Sequence, residues 1–244
     1  MKQGLFELIS NEPLNDSANK IVLAGDTSAI SSCGQFVNIR LEGKYLRRPI
    51  SVCDYDDKTF TLVYKKVGSG TRQLSRMKPG ESLDVLTGLG NGFDKSKSGS
   101  SPLLIGGGVG LTPMYRLCKD LMAEGKNVSV ILGFNTKAES FYVEEFKALG
   151  ARVTVTTIDG SLGVKGYVTD ALPEDYSYFF CCGPEPMLKA LFKATKTSGQ
   201  FSFEERMGCG FGACMGCSCK TVTGYKRICK DGPVLEKEEI LWED

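Results

Sequence analysis

The sequence contains no histidine in its 244 residues. Histidine is the commonest general base in enzymes, the partner of nucleophilic serine and cysteine, and the commonest side-chain metal ligand. Its absence therefore argues against a hydrolase and excludes imidazole metal sites. A protein that moves electrons through cofactors needs no histidine to shuttle protons, so that class stays open.

An excess of charge of one sign is also missing, since 30 Lys and Arg stand against 29 Asp and Glu. This balance gives no broad basic field for nucleic acid or an anionic membrane surface. In the amino-terminal stretch MKQGLFELISNEPLND the apolar run is too short and too interrupted for a signal peptide or a spanning helix. We therefore expect a cytoplasmic protein with small-molecule or protein partners, and neither nucleic acid nor membrane.

Cysteine, by contrast, is abundant, with ten residues. In a reducing compartment such thiols indicate a metal or redox role rather than a disulfide framework. Cys209, Cys214, Cys217 and Cys229 are separated by four, two and eleven residues. The first three match the C-x4-C-x2-C spacing of plant-type [2Fe–2S] proteins, which have a distal fourth ligand. Glycines at 208, 210, 212 and 216 allow the backbone to wrap a cluster closely.

Two alternatives to this assignment remain at the level of sequence. Cys219 is a fifth cysteine in the same loop, and we prefer Cys217 as a ligand because it completes the two-residue spacing. A zinc site usually combines paired C-x2-C elements, of which this segment has one. Merely buried thiols are the third possibility. The spacing favours the iron–sulfur cluster over both.

The order of predicted elements divides the chain into three parts. Short β-like runs separated by turns in the first 92 residues are typical of a small antiparallel barrel. Residues 94–102 are polar and form the predicted boundary. Alternating strands and helices then predict a doubly wound parallel sheet, followed by the cysteine-rich segment. The predicted strands are 4–10, 20–24, 35–41, 59–65, 81–86, 103–105, 128–132, 153–157 and 178–181, and the predicted helices are 71–77, 113–123, 143–149 and 187–195.

Several segments have the composition of sites for phosphates and nucleotides. RRPIS at 47–51, interpreted as the end of a barrel strand, offers an arginine, and GSGT at 68–71 precedes a predicted helix. GGGVGLTP at 106–113 joins a strand to a helix, and CGPEPM at 182–187 follows a later strand. Taken singly, each is also explained by an ordinary surface turn, and Cys182 by a small buried side chain.

Together these segments resemble the ferredoxin–NADP reductase superfamily. RRPIS, GSGT, LGNGF, GGGVG and CGP, followed by CGFGACMGC and KRICKDGPV, are similar over nearly the whole chain to the electron-transfer subunits of NAD-linked dihydroorotate dehydrogenases. The resemblance implies an α+β and α/β multidomain fold. Its parts would be a six-stranded flavin-binding barrel (1–98), a doubly wound NAD-binding domain (99–200) and a [2Fe–2S] segment (201–244).

The resemblance also implies which residues bind FAD, NAD and the cluster. Lys65 departs from the arginine expected in some relatives, and it lacks the bidentate fork that arginine offers a diphosphate. Preference for NAD over NADP stays open. The implied residues are Arg48, Pro49, Ile50, Ser51, Val63, Tyr64, Lys65, Gly70 and Thr71 for FAD, Gly107, Gly108, Gly110, Cys182 and Gly183 for NAD, and Cys209, Cys214, Cys217 and Cys229 for the metal.

In that family the chain would serve a separate FMN-containing catalytic subunit, which oxidises dihydroorotate to orotate in pyrimidine biosynthesis. Electrons would pass from this FMN through the cluster and FAD to NAD+, in a heterotetramer with two copies of each subunit. Met207, Phe211 and Met215 are candidates for the face that meets this partner or for packing against the chain's own flavin domain.

Two other functions compete with this one. The first is the small subunit of an NADH-dependent ferredoxin oxidoreductase, sulfide or sulfite reductase, or hydrogenase complex, which shares the architecture. The second is a non-catalytic interaction protein held together by a metal knot. The KRICKDGPV ending favours the dihydroorotate assignment over the first, and a flavin colour would exclude the second.

Overall fold

The computed structural model describes residues 1–242 in three parts: a barrel, a mixed α/β domain and a C-terminal segment, residues 203–242. No helix in this range is long and apolar enough to cross a membrane. The strands are β1 Lys2–Pro13, β2 Ala18–Ala24, β3 Phe36–Arg40, β4 Arg48–Tyr55, β5 Thr59–Lys65, β6 Ser82–Leu89, β7 Leu103–Gly107, β8 Ser129–Phe134, β9 Arg152–Thr157, β10 Val164–Lys165, β11 Phe179–Cys182, β12 Gly199–Ser202, β13 Ser218–Thr221, β14 Gly224–Arg227 and β15 Val234–Glu236. The helices are α1 Ser69–Leu74, α2 Thr112–Ala123, α3 Val143–Ala148 and α4 Glu185–Ala194.

The first six strands close into an antiparallel barrel in the order β1-β2-β5-β4-β3-β6. Side chains along β3 alternate between the interior of the barrel and its outer surface, because successive side chains of a strand point to opposite sides. Val37 and Ile39 point into the barrel core. Phe36 points outward and belongs to the apolar cluster that contains Cys217 and Cys229 of the C-terminal segment. One strand therefore supports both the barrel and the cysteine loop.

The sequence pattern missed β4. Residues 47–51 were predicted to end a barrel strand, whereas β4 begins at Arg48 and continues to Tyr55. Pro49 interrupts the β pattern, since proline cannot donate to a ladder and is confined to strand starts and edges. Here it is the second residue of its strand and pairs with Asn38.

The second sheet has the order β10-β9-β8-β7-β11-β12-β15, and all strands but β15 run parallel. Apolar residues of α2 pack against one face and those of α4 against the other, which accounts for the continuously apolar strands. The chain leaves β7 toward β8 and later returns to β11 on the other side. The carboxyl ends of β7 and β11 therefore flank the switch point of the sheet, where ligands bind in such folds.

The C-terminal segment is tied into this sheet. Its β15 pairs with β12, and β13 and β14 form a separate hairpin. Because β12 ends at Ser202, the boundary proposed between residues 200 and 201 falls within a strand. The division at 98, 200 and 244 remains our proposal, and its last two residues lie outside the described range.

Candidate functional site

A cavity of about 390 Å³ lies where the barrel, the carboxyl ends of β7 and β11, and the C-terminal segment meet. The barrel contributes the start of β4, the end of β5 and the residues before α1. All five residues predicted for NAD and seven of the nine predicted for FAD line it. They are Pro49, Ile50, Ser51, Val63, Tyr64, Lys65, Thr71, Gly107, Gly108, Gly110, Cys182 and Gly183.

The other two predicted FAD residues, Arg48 and Gly70, lie side by side. A Cβ at Gly70 would be 2.3 Å from Nε of Arg48, so a larger residue there would displace the guanidinium. Thr71 fixes the same turn, because its Oγ1 accepts hydrogen bonds from the backbone N–H groups of Val67 and Gly68. The turn before α1 and the start of β4 thus place the guanidinium of Arg48 beside Gly70, and a guanidinium suits a diphosphate.

The hydroxyl group of Tyr64 is a buried polar group at the cavity. Its hydroxyl is fully buried and has no hydrogen-bond partner in residues 1–242, although the side chain lines the cavity. Burial raises the pKa of this phenol above its usual 10, so the group is a neutral donor. A buried hydroxyl without a partner is costly, and a bound group rich in acceptors, such as a flavin, satisfies it.

The glycines of the β7–α2 turn are required mainly by close packing. A Cβ at Gly110 would be 2.3 Å from the carbonyl oxygen of Cys182, and one at Gly107 would be 2.5 Å from Sδ of Met187. Gly108 has a positive φ of 54° and faces Lys65, with Nζ 3.6 Å from a Cβ position. The turn can therefore lie against β11 while its backbone borders the cavity.

Cys182 stands at the carboxyl end of β11, beside Ser202 of β12 in the ladder. Burial raises the pKa of its thiol to about 12, against a smaller lowering by a hydrogen bond with Ser202. The thiol is thus neutral at physiological pH. A neutral, weakly polar side chain at this edge suits contact with a nicotinamide ring.

Several residues of this cavity were not predicted from the sequence. They are Phe36, Val67, Val109, Thr112, Pro184, Ser202, Phe203, Glu204, Glu205, Met207 and Pro233. Val109, Thr112 and Pro184 lie within the GGGVGLTP and CGPEPM motifs, which were the signal that could have found them. For Ser202 and the residues shortly after it the signal was position, because Ser202 ends a strand at the ligand-binding edge of the sheet.

The four predicted metal-binding cysteines come together as two pairs. The backbone N–H of Cys214 donates to Sγ of Cys209 at 3.4 Å, and the N–H of Cys229 donates to Sγ of Cys217 at 3.4 Å. Burial, then Cys217 and also Cys209, raise the pKa of Cys229 to about 12. Within the described range, no group of three or more Cys, Asp or Glu is positioned to hold a metal ion. The case for a two-iron cluster therefore rests on the cysteine spacing and on the two pairs, Cys209 with Cys214 and Cys217 with Cys229.

Backbone donors favour the ionised form of the first cysteine. Burial raises the pKa of Cys209, but N–H groups of Cys214, Phe211 and Ala213 outweigh it and lower the pKa to about 6. The N–H of Ala213 lies 3.2 Å from this sulfur. N–H groups directed at thiolates are the outer contacts that iron–sulfur clusters require.

Among the described residues, Cys219 takes no part in these N–H to sulfur hydrogen bonds. It is half-buried on β13 and borders a second, open groove of about 1150 Å³ together with Arg48 and Trp242. Burial raises the pKa of its thiol. Its position supports Cys217 rather than Cys219 as the third ligand.

Comparison with known proteins adds independent findings. Residues 204–241 match the family model for the iron-sulfur cluster binding domain of dihydroorotate dehydrogenase B, and residues 104–193 match that of the oxidoreductase NAD-binding domain. The chain is 41% identical over 256 residues to the dihydroorotate dehydrogenase B (NAD(+)) electron transfer subunit of Geobacillus sp. (strain WCH70), covering 99% of each chain. The subunit of the same description from Bacillus pumilus (strain SAFR-032) is 40% identical over 255 residues, with 98% of each covered.

Solved structures give the same fold. The structure of an NADH-dependent reduced ferredoxin-NADP oxidoreductase superposes with a TM-score of 0.88 and 32% identity, covering 98% of this chain and 90% of that one. A ferredoxin NADP+ reductase from Neisseria gonorrhoeae gives a TM-score of 0.69 at 17% identity, over 80% of this chain and 90% of that one. The second likeness shows the fold alone.

Proposed function

The chain belongs to the family of the electron transfer subunits of dihydroorotate dehydrogenase B, and from that premise we propose how its residues divide the work. It is an NAD-linked oxidoreductase component whose cofactors are FAD, a [2Fe–2S] cluster and NAD, and it serves a catalytic subunit. The observation that carries the proposal is the 390 Å³ cavity, where residues predicted for FAD and NAD face each other beside the cysteine loop.

When bound, FAD exchanges a hydride with nicotinamide and single electrons with the cluster, which joins a two-electron to a one-electron carrier. The chain positions the cofactors and excludes water from their site. Arg48, Gly70 and Thr71 are proposed to hold the diphosphate. Residues 49–51 and 63–65 are proposed to hold the remainder of FAD against the barrel, with Tyr64 donating its buried hydroxyl.

The nicotinamide nucleotide is proposed to bind across the switch point of the sheet. Gly107, Gly108 and Gly110 offer backbone there, and Cys182 and Gly183 face them from the next strand. The neutral thiol of Cys182 can touch the ring without adding charge beside it. Cys209, Cys214, Cys217 and Cys229 are proposed as the cluster ligands, with one pair for each iron.

The partner is proposed to be an FMN-containing subunit that oxidises dihydroorotate to orotate, in a cytoplasmic heterotetramer with two copies of each chain. Electrons must enter near the cluster, and Cys214 is exposed there. Phe211 and Met215 flank it and are 43% and 55% exposed. Met207 instead lines the cavity and packs against the core. Phe211 and Met215 are thus the apolar contacts we propose for the partner.

Anaerobic purification followed by analysis of FAD, iron and acid-labile sulfide tests the cofactor assignment. We expect one FAD and two irons per chain, and zinc in place of iron would contradict it. Dihydroorotate-dependent reduction of NAD+ by the complex with the catalytic subunit tests the function. Met215→Glu should weaken that complex, whereas Val164→Glu, at a 41% exposed residue on β10, should not.

The similarity at 32% identity to an NADH-dependent reduced ferredoxin-NADP oxidoreductase supports a second candidate, a subunit that exchanges electrons with ferredoxin. The curated relatives at 40% and 41% identity favour the dihydroorotate assignment. Reduction of ferredoxin by NADH, in a complex that lacks dihydroorotate activity, would reverse this preference.

A further inference from the structure

Two asparagines of the barrel domain form hydrogen bonds with the C-terminal segment. One contact lies at the start of the cysteine loop, residues 209–229, and the other lies beyond its end. Asn38 lies on the outward face of β3 and is 1% exposed. Its Nδ2 donates to the carbonyl oxygen of Cys209, the first proposed ligand, at 3.2 Å. The next residue, Gly210, has a positive φ, and a Cβ there would be 2.3 Å from this Nδ2. Glycine is needed at position 210 because a side chain there would collide with Asn38.

Asn91, just after β6, holds the chain beyond the last proposed ligand. Its Nδ2 donates to the carbonyl oxygen of Val234 at 2.8 Å, and its Oδ1 accepts from the N–H of Val234 at 2.9 Å. Its backbone N–H also donates to the carbonyl oxygen of Gly232 at 2.6 Å. Although Asn91 is exposed, its amide forms a two-way contact like a step of a β ladder.

The same two attachment points touch the proposed flavin site. Asn38 stands opposite Pro49 in the β3–β4 ladder, so the residue that contacts Cys209 lies directly beside a proposed FAD residue. Pro233, inside the stretch that Asn91 holds, lines the 390 Å³ cavity. Phe36 lines that cavity too and belongs to the same apolar cluster as Cys217 and Cys229.

We propose that Asn38 and Asn91 are positioning residues that fix the cysteine loop relative to the flavin side of the barrel, and thereby set the rate of electron transfer between FAD and the cluster. Within residues 1–242 the hydrogen bonds of both side chains to the C-terminal segment go to backbone atoms and not to sulfur. They act through the backbone of the ligand loop, in the way that outer contacts orient metal ligands. This inference rests on the proposed function.

The test uses the holoprotein, with Asn38→Ala, Asn91→Ala, Asn91→Asp and their wild type. Thr27→Ala is the matched control, because Thr27 is 3% exposed and donates to the carbonyl oxygen of Asp56 at the far end of β4. Stopped-flow absorbance follows reduction of the flavin by NADH. Freeze-quench EPR then follows reduction of the cluster in the same samples.

We expect iron, sulfide and FAD contents to stay at wild-type levels in every variant. Flavin reduction by NADH should stay within about twofold, while cluster reduction slows about tenfold or more in both alanine variants, the usual loss when an outer contact of a metal site is removed. Asn91→Asp keeps the acceptor for Val234 and should fall between wild type and Asn91→Ala. Hydrogen exchange of residues 208–216 should rise in Asn38→Ala and not in Thr27→Ala.

Three outcomes overturn the inference: cluster reduction as fast as in Thr27→Ala, equal slowing of both steps, or loss of iron from the alanine variants during purification. The last would make the asparagines necessary for holding the cluster rather than for placing it. A wild-type protein without flavin or iron would refute the proposed function itself. The two failures are therefore distinguishable.

Discussion

Tyr64→Phe is expected to have opposite effects on the protein with and without FAD. The Tyr64 hydroxyl is buried without a partner in residues 1–242. An unsatisfied buried group of this kind costs about 1 to 3 kcal/mol, and phenylalanine removes it while keeping the ring. The flavin-free variant should therefore unfold at a higher temperature, by about 2 to 4 °C for each kcal/mol in a chain of this size.

Binding of FAD should weaken by a corresponding amount. If the hydroxyl finds its acceptor on the flavin, the wild type recovers the cost of about 1 to 3 kcal/mol on binding and the variant does not. At about 1.4 kcal/mol for each factor of ten, the dissociation constant for FAD should rise roughly 5- to 150-fold. The measurements are thermal unfolding of the flavin-free proteins and titration with FAD followed by flavin fluorescence.

Tyr178→Phe is the control with the reverse pattern. The Tyr178 hydroxyl donates to Oε2 of Glu236 at 2.6 Å, so its removal should lower the unfolding temperature and leave FAD affinity unchanged. A flavin-free Tyr64→Phe protein that is less stable than wild type, or that binds FAD equally well, would refute the reasoning that assigns this hydroxyl to the cofactor.

Four further substitutions test separate parts of the site. Cys214→Ser should yield protein with FAD but without iron and sulfide, whereas Cys219→Ser should keep all three. Metal analysis with the reverse result would make Cys219 the cluster ligand in place of Cys214. Arg116→Ala removes a 3.2 Å ion pair between α2 and Asp54 on β4 and leaves the 2.9 Å pair from Lys119 to the same carboxylate, so KM for NADH should rise severalfold with FAD content unchanged; an unaltered KM would show that the Arg116 contact does not position the domains. Gly110→Ala places a Cβ 2.3 Å from a backbone carbonyl oxygen at the end of β11. It should lower the free energy of unfolding by about 1 to 3 kcal/mol and abolish nucleotide binding. A variant that unfolds and binds NADH as the wild type does would contradict this prediction.

Local pattern was sufficient for most of the architecture. The alternation in residues 59–65 predicts β5, with the bounds that the structure shows, and the periodicity of residues 113–123 predicts α2 to within one residue. The pattern failed at β4, where Pro49 conceals a strand that pairs with β3. Strand pairing across a barrel involves residues far apart in the sequence, so the β propensity of one segment does not predict it.

The amino-acid sequence predicts the kind of chemistry that this protein performs. Cysteine spacing, glycine-rich turns and the absence of histidine are properties of the covalent chain, and they favour thiolate ligands and bound cofactors whatever the fold. Which groups meet in space is a property of the folded chain. Contacts between residues far apart in the chain bring Asn38 to the carbonyl of Cys209, place Pro233 at the 390 Å³ cavity and bury the Tyr64 hydroxyl without a partner in residues 1–242. Such contacts arise from packing and hydrogen bonding in the folded state, and no local pattern encodes them.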